Sequence, residues 1–457
     1  MAMNTLTRVV LVALSAIGGL AGTGTTVAAQ QNALDEYVRL GLRLNPAIRQ
    51  QGLAVRQSEA VVREARGNFL PTATLNARYT DVSGQVVNLG ELINPAFAAL
   101  NGLLGSPSFP TDIDLRLPLR QETAVRVTQP IFRSEIAAGY RAASAARDAQ
   151  EATFGAAERA LASEIRLAYV NHAKAVKLAE LRRATREVLV EQARVMARLV
   201  DAGRATPDAR SRASAELAEA EQRSAEAEQL ALASGQAFNL LLGRELDAPV
   251  DLVDPGTLGL DALPSLDETL RSGLGRREEL RALEAGGRAA LAQQAIASAG
   301  YLPNLAVAVD YGIQSNDYRF TQETDFALVS VVASWNLFNG GRDRARVEQA
   351  RLDAARITLR GDEVRRGVEL QIRTAWQAAA VARQAIETAE VQREAAERTW
   401  QLVRRRAEEG LASALELSEA RAGRTAAQIN ALFTTYDFYL RRVELDRAAA
   451  LYPRTSP

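Results

Sequence analysis

Cysteine and histidine, two of the residue types that most often carry out catalysis, are nearly absent from this sequence. The chain has no cysteine, which excludes disulfides, thiolate zinc sites and cysteine nucleophiles. Its single histidine, His172, leaves the usual general base and metal ligand nearly absent. The pairs Gly286-Gly287 and Gly340-Gly341 lack the sequence context of a phosphate-binding loop. We therefore predict no catalytic residue, no cofactor and no metal site.

Two carboxylates remain of interest because of their spacing. Glu416 and Glu419 lie one helical turn apart on a segment that follows Gly410. This spacing suits a ring of like charges around an axis better than a catalytic cleft. The simpler alternative is that both are solvated charges on a helix face, and sequence alone does not formally exclude a carboxylate enzyme.

The overall composition predicts long helices and no nucleic-acid partner. The chain has 457 residues with 55 basic and 55 acidic side chains, so it lacks the basic footprint of a nucleic-acid-binding protein. Hydrophobic residues make up 47% but aromatic residues only 5%, which indicates slim helices rich in alanine and leucine.

The N-terminus predicts a signal peptide over residues 1–29. Arg8 precedes an apolar run, Val9–Leu20, that is too short to span a bilayer, and small residues follow up to Ala29. Cleavage after Ala29 leaves Gln30 first, so no lipid-bearing cysteine is expected.

An internal repeat divides the remainder of the chain. At one constant offset along the sequence, Phe69-Leu70-Pro71 recurs as Tyr301-Leu302-Pro303, and Gly41-Leu42 recurs as Gly273-Leu274. Further along, at a second and smaller offset, Ile165-Arg166 and Gly203 recur as Ile372-Arg373 and Gly410. We predict two structural repeats, 30–248 and 265–457, joined by a Pro/Gly-rich linker over 249–264.

Each repeat is predicted to hold one strand hairpin, at about 71–132 and about 303–338. Apolar and polar residues alternate after Pro71 and again after Pro303, as in a strand with two different faces. Half of the aromatic residues lie in the hairpins together with their Leu-Pro motifs, 69–132 and 301–338. An apolar face opposite a polar face is what a membrane barrel requires, although hairpins packed on soluble helices remain an alternative. The long connection 83–120 is predicted to be an extracellular loop.

The other segments are predicted to be helical. A seven-residue apolar repeat runs through Val368, Ala375, Ala382 and Ala389, and a matching repeat runs through the first half. The first long helix, 136–199, would measure about 95 Å, and shorter helices follow at 207–242 and 412–449. Gly203 and Gly410 separate the long helices from the shorter ones.

Four strands cannot close a membrane barrel, and an open sheet edge is not tolerated in lipid. The chain must therefore complete its barrel with copies of itself. Two copies would supply eight strands and a filled interior, whereas three copies would supply twelve strands and a wider bore, which the polar strand faces favour.

The mature chain resembles the outer-membrane efflux proteins, the TolC-like family. The resemblance rests on the duplicated hairpin-plus-helix plan, on the two Leu-Pro motifs and on the segment Gly410–Ala420. It implies a mainly α fold with membrane β: a homotrimer with a 12-stranded barrel in the outer membrane of a Gram-negative bacterium and a periplasmic α-helical coiled-coil barrel. It also implies a passive duct for small molecules or polypeptides that docks onto a periplasmic adaptor protein and an inner-membrane pump.

The resemblance also implies roles for particular residues. Glu416 and Glu419 take the positions of the acidic ring at the periplasmic constriction, where mutual repulsion would raise some of their pKa values and attract cations. Gly203 and Gly410 mark the periplasmic tip turns and the adaptor docking end, and Pro71 and Pro303 mark where the chain enters the barrel. A soluble periplasmic coiled-coil adaptor is the alternative function.

Overall fold

The computed structural model describes residues 24–81, 87–114, 116–117, 119–253, 263–315 and 324–452. Most of the predicted signal peptide and the middle of the predicted linker lie outside these residues. The chain forms two compact units. We call them the sheet unit (Gly52–Phe154 and Glu278–Val364) and the helical unit (residues up to Gln51, Gly155–Arg277 and from Arg365 on).

Nine helices dominate the described residues, and none of them combines the length and the apolar character needed to cross a membrane. The predicted helix 207–242 is confirmed to the residue, and those at 136–199 and 412–449 are confirmed to within two residues at each end. The helices are α1 (Gly24–Leu44), α2 (Pro46–Gly67), α3 (Leu89–Leu104), α4 (Ser134–Asp201), α5 (Pro207–Leu242), α6 (Leu266–Arg276), α7 (Glu278–Ser298), α8 (Arg342–Glu408) and α9 (Ala414–Ala448).

The strands lie in the sheet unit and form a four-stranded antiparallel sheet and a small two-stranded one. The large sheet has the order β1-β4-β5-β6, so the predicted hairpins pair with each other through β4 and β5. The second hairpin ends at Ser334, a few residues before its predicted end. The strands are β1 (Thr72–Tyr79), β2 (Val87–Asn88), β3 (Arg116–Leu117), β4 (Gln121–Phe132), β5 (Asn304–Ser315) and β6 (Asp325–Ser334).

The register of the large sheet separates its apolar and polar residues onto opposite faces. Leu75 pairs with Val125, which pairs with Tyr311, so these three residues share the apolar face. On the other face Arg126 lies between Thr74 and Asp310. The alternation predicted from the sequence is therefore in phase across β1, β4 and β5, whereas in β6 the apolar residues Leu328 and Val332 lie on the polar face.

The apolar face of this sheet is the more exposed one. Leu75 is 70% exposed and Val329 is 73% exposed, whereas Asp310 on the polar face is only 5% exposed. A sheet in a water-soluble protein buries its apolar face instead. The exposed apolar rows therefore require a covering that the single chain does not supply.

The connection between β1 and β4 contains a helix that the sequence reading assigned to a loop. Along one face of α3, Asn94 makes two side-chain hydrogen bonds to the backbone of Ile113, and Asn101 makes two to the backbone of Phe109. The two asparagines are two helical turns apart, so they hold the returning chain against the helix. Pro95 lies within α3, although proline disfavours the interior of a helix.

The helical unit is held together by the predicted heptad positions. Val368, Ile372 and Ala379 on α8 are almost fully buried, as are Leu161 and Ile165 on α4. Alanine at many of these positions allows helix axes to approach closely. One aromatic cluster of this unit contains Tyr169 and Phe238, which are fully buried, and Tyr37, which contacts both rings.

Element boundaries recur at the two offsets seen in the sequence. The ends of α1 and α6, the starts of α2 and α7, and the starts of β1 and β5 are separated by the same offset as the two Leu-Pro motifs. The ends of α4 and α8 and the starts of α5 and α9 are separated by the smaller offset that relates Gly203 to Gly410. These helices and strands therefore recur along the chain with the same offsets as the sequence motifs.

Equivalent glycines in the two halves allow the same close contact. A Cβ on Gly41 would collide with Cδ1 of Ile165, and a Cβ on Gly273 would collide with Cδ1 of Ile372. Both isoleucines are fully buried, so neither side chain has open solvent into which it could turn. The short helices α1 and α6 thus pack on the long helices at positions where only hydrogen fits.

We expect Gly41→Val and Gly273→Val to destabilise the protein by similar amounts, each by about 1–3 kcal/mol, because both overpack a buried isoleucine. Chemical denaturation of the purified protein measures the free energy of unfolding. Gly287→Ala is the control, because a Cβ there meets nothing within 4 Å and alanine favours the helix. An unchanged free energy of unfolding in both valine variants would contradict the close packing of these glycines against the isoleucines.

Candidate functional site

The two predicted tip turns have the same backbone geometry. Gly203 has a φ of 67° and Gly410 a φ of 76°, a region that residues with a side chain rarely adopt. In the first turn the N–H of Arg204 donates to the carbonyl of Leu199, and in the second the N–H of Leu411 donates to the carbonyl of Arg406. Glycine is therefore required at both positions to end the long helix and reverse the chain.

Glu416 takes part in starting the helix that follows the second turn. Ser413 is the N-cap of α9; its backbone N–H donates to Glu416 Oε2 at 2.7 Å, and its Oγ accepts from the N–H of Glu416 at 3.2 Å. This reciprocal pair is a capping box. The hydrogen bonds to Ser413 lower the pKa of Glu416 below its usual value, and Arg406, 3.8 Å away, acts in the same direction.

Glu419 lies one turn further along α9 and is exposed. Within the part of the chain that the structure describes, it makes no ion pair. The family resemblance implies that repulsion between copies raises some of the pKa values of Glu416 and Glu419. The contacts within one chain instead lower the pKa of Glu416. The acidic ring stays a prediction, because it concerns several copies of the chain.

A polar link that the sequence reading missed joins α5 and α9 near this end. Glu216 accepts a hydrogen bond from Ser418 Oγ at 2.7 Å and one from Arg421 Nη2 at 2.6 Å. Arg421 is only 9% exposed, and this burial lowers its pKa while the Glu216 carboxylate opposes the change. Ser418 and Arg421 are one helical turn apart, but nothing in the sequence identifies Glu216 as their partner.

Two further ion pairs brace the helices of this region. Arg424 on α9 pairs with Glu397 on α8 at 2.5 Å, and Arg210 on α5 pairs with Asp201 at the end of α4. These pairs connect each returning helix to the long helix before it. Because most of these groups are a third or more exposed, we attribute orientation rather than much stability to them.

The two Leu-Pro motifs lie directly before strands, as predicted. Pro71 precedes β1 and Pro303 precedes β5. The carbonyl of Phe69 accepts a hydrogen bond from Gln129 at 3.0 Å, and the equivalent carbonyl of Tyr301 accepts one from Trp335 at 3.1 Å. Proline is tolerated there because the first residues of a strand need no ladder donor.

His172 is a packed core residue of the helical unit. It is 8% exposed, and its Nδ1 lies 2.9 Å from Ser234 Oγ. Gly235 leaves room for the ring, since a Cβ there would approach Cε1 to 3.0 Å. Burial lowers the pKa of His172 below its usual value, and a hydrogen bond to the backbone of Ala231 opposes this only in part.

We expect the stability of the protein to fall as the pH is lowered through about 6.5, the usual histidine pKa, because the unfolded chain then binds a proton that the buried ring resists. The measurement is the thermal midpoint at pH 7.5 and pH 5.5. His172→Gln should lose less stability over this interval than the wild type. Equal losses would show that carboxylates alone account for the pH dependence.

Both the sequence and the fold of this chain are similar to those of known proteins. Residues 269–451 match the family model of the outer membrane efflux proteins. This chain resembles those proteins in both sequence and fold. Its structure matches CusC with a TM-score of 0.76 at 16% identity over 92% of each chain. It matches the outer membrane protein VceC of Vibrio cholerae with a TM-score of 0.74 at 18% identity, over 92% of this chain and 97% of that one.

A third similar structure is the outer membrane channel CmeC of Campylobacter jejuni, with a TM-score of 0.74 and 16% identity over 93% of this chain and 87% of that one. No curated protein matches the chain by sequence. The family resemblance drawn from the sequence is thereby confirmed, and the mostly helical fold with a four-stranded sheet is that of these channels. The family match and the structural matches do not favour the alternative function of a soluble periplasmic coiled-coil adaptor.

Proposed function

We propose that this chain is one of three identical subunits of an outer-membrane efflux channel. Three four-stranded sheets would form a 12-stranded barrel, and the long helices would continue it as a periplasmic duct. The observation that carries this proposal is the apolar strand face, which the chain leaves exposed while it buries residues of the polar face. Lipid is the covering that such a face requires.

The edges of the large sheet support assembly of several copies. β1 and β6 are the outer strands, each paired on one side only within the described residues. In a bilayer their free backbone groups would cost several kcal/mol each. Pairing β1 of one copy with β6 of the next removes both edges, and three copies give the bore that a duct needs.

The polar face of the sheet suits a water-filled lumen. Arg126 pairs with Asp310 at 2.6 Å and Arg78 pairs with Glu122 at 2.5 Å, so these four charges balance. Balanced charges on a wet lumen would favour neither anions nor cations. Charge selection in the channel is therefore expected elsewhere, at the acidic residues Glu416 and Glu419 near the helical tips.

The helical unit also leaves an apolar surface that another copy could cover. A row of large side chains on α8 recurs at every third helical turn, so the row lies on one side of the helix. Each member is more than half exposed. The row consists of Leu370, Val381, Val391 and Leu402.

The recurring element boundaries and the two glycine–isoleucine contacts support an internal duplication with repeats at 30–248 and 265–457. In this arrangement the tips at Gly203 and Gly410 form the periplasmic end. A periplasmic adaptor and an inner-membrane pump would dock there, and export through the subunit itself would be passive.

Electrophoresis and bilayer recording test the proposal. The protein, extracted from the membrane in mild detergent, should migrate unheated as a trimer, become monomeric on heating, and form water-filled pores in planar bilayers. A stable monomer, or a protein that stays in the soluble periplasmic fraction, would contradict it.

A matched pair of substitutions tests which strand face meets lipid. Leu75 and Asn76 are neighbours on β1, both exposed, and they lie on opposite faces of the sheet. Leu75→Lys should prevent membrane assembly, since lysine on a lipid-facing strand costs about 2–4 kcal/mol near the midplane, whereas Asn76→Lys should assemble. Equal assembly of the two variants would contradict a lipid-facing apolar surface.

A further inference from the structure

A cavity of about 500 Å³ lies within the helical unit, between α4, α5 and α9. Its size is within the range of sites that hold small organic ligands. One wall is apolar, with Leu189 from α4, Ala220 from α5, and Ala422, Ala426, Ile429 and Phe433 from α9. No residue of this cavity belongs to the predicted acidic ring or tip turns.

The charged residues that line the cavity do not balance. Arg421 is paired with Glu216, and Arg223 is paired with Glu219. Arg182, the third cation, has no ion-pair partner among the described residues, whereas the adjacent Arg183 pairs with Glu228 at 3.1 Å. The residues that line the cavity therefore carry one more positive than negative charge, beside an apolar wall.

The environment of Arg182 makes an anion favourable there. Burial, with the nearby Arg223, lowers the pKa of Arg182 below its usual value, while Glu219 and Glu226 oppose this change, and the guanidinium stays protonated at neutral pH. A partly desolvated cation next to a like charge gains more from an added carboxylate than a solvated surface arginine does. The adjoining alanines leave space for an apolar group of the same ligand.

We propose that this cavity binds an amphiphilic organic carboxylate, with the carboxylate on Arg182 and the apolar body against α9. The ligand contacts three helices and lies beside the Glu216–Arg421 link between α5 and α9. Binding would thus stabilise this arrangement of the helices. If the chain is the channel proposed above, the ligand should also reduce channel opening.

Binding is tested on the full-length purified protein by calorimetry and thermal shift, with 2-naphthoate as the aromatic probe and octanoate as the aliphatic one. Saturable binding and a raised thermal midpoint are expected with at least one of them, and the tighter probe identifies the ligand class. The neutral analogue 2-naphthalenemethanol should bind about tenfold more weakly than 2-naphthoate, because it lacks the charge.

Three variants locate the site. Arg182→Gln should weaken binding by about tenfold or more, and Ala426→Leu should weaken it by filling the cavity while every charge stays in place. Arg183→Gln, the adjacent exposed arginine, should bind as the wild type does. The proposal would be overturned if no saturable binding is seen. It would also be overturned by wild-type affinity in both Arg182→Gln and Ala426→Leu, or by an equal loss of affinity in Arg183→Gln.

Conductance is recorded separately in planar bilayers with and without the probe. Fewer opening events in the wild type, and no change in Arg182→Gln, are expected. Absence of any conductance would count against the proposed channel function and leave the binding result standing. Binding without an effect on opening would overturn the regulatory part of the inference.

Discussion

Replacing both Glu416 and Glu419 with glutamine is expected to lower cation preference and the affinity of divalent-cation block in planar bilayers, the latter by about tenfold or more. In the proposed trimer the change removes six carboxylates from one constriction. Two charges about 4 Å apart interact by about 1 kcal/mol even in bulk water, so a ring of several carboxylates exceeds that value for a bound divalent cation. The measurement is single-channel conductance and reversal potential in a salt gradient.

Glutamine is the informative replacement because Glu416 also caps a helix. Glutamine keeps both capping-box hydrogen bonds with Ser413, whereas alanine keeps only the bond from the backbone N–H of residue 416 and loses the one that the Glu416 side chain accepts, which costs about 0.5–1.5 kcal/mol at the start of α9. A Glu416→Ala variant would therefore confuse loss of charge with loss of structure. The single variants Glu416→Gln and Glu419→Gln should each show part of the effect.

The charge control is the double variant Glu180→Gln/Glu228→Gln. It removes the same number of carboxylates from exposed positions where each is paired with a basic residue, Lys177 or Arg183. Its conductance and block should equal those of the wild type. If the Glu416/Glu419 variant also behaves as the wild type does, the acidic-ring assignment is wrong, while the channel itself is unaffected.

Gly312→Val should prevent the sheet from forming, so that the unheated protein no longer migrates as a trimer. Gly312 on β5 lies opposite Ala124 on β4, and a Cβ there would lie 2.5 Å from the Cα of Ala124 and would also collide with the carbonyl oxygen of Thr123. These are backbone atoms, so no side-chain rotation relieves the contact. The strands must separate, which we expect to cost at least about 3 kcal/mol.

A substitution in the same sheet serves as the control for Gly312→Val. Ala327→Val adds the same side chain at an exposed position on the neighbouring strand β6. It should assemble normally in the unheated gel and give wild-type conductance. If Gly312→Val still migrates as a trimer when unheated, β4 and β5 do not pair in the assembled protein as they do in this structure.

Much of the fold could be read from the residues themselves. The helix 207–242 begins at Pro207 and ends before Gly243, which are local signals at a helix start and end. The strands after Pro71 and Pro303 were evident because their apolar residues alternate over a full strand length. The constant offsets between repeated motifs also located equivalent elements in the two halves before any contact was known.

Other structural features were not predicted from the sequence, because the local residue pattern opposed them or gave no indication of them. The connection 83–120 was predicted only as a loop and contains Pro95, yet it forms a helix whose Asn94 and Asn101 make paired hydrogen bonds to the returning chain. The second hairpin was extended beyond Ser334 because Trp335 and Leu337 continue the alternation, although the pairing with β5 ends at Ser334. The charge of Glu416 was noticed, but its capping role depends on the backbone of Ser413.

The amino-acid sequence alone predicts which segments are helices and strands and which strand face is apolar. These properties follow from periodicity and turn residues, which act over a few neighbouring positions. The structure was needed to show that Glu216 meets Arg421, that Arg182 lies beside a cavity with no ion-pair partner among the described residues, and that Gly312 lies against β4. Such partners are far apart along the chain, and their meeting depends on how whole elements pack.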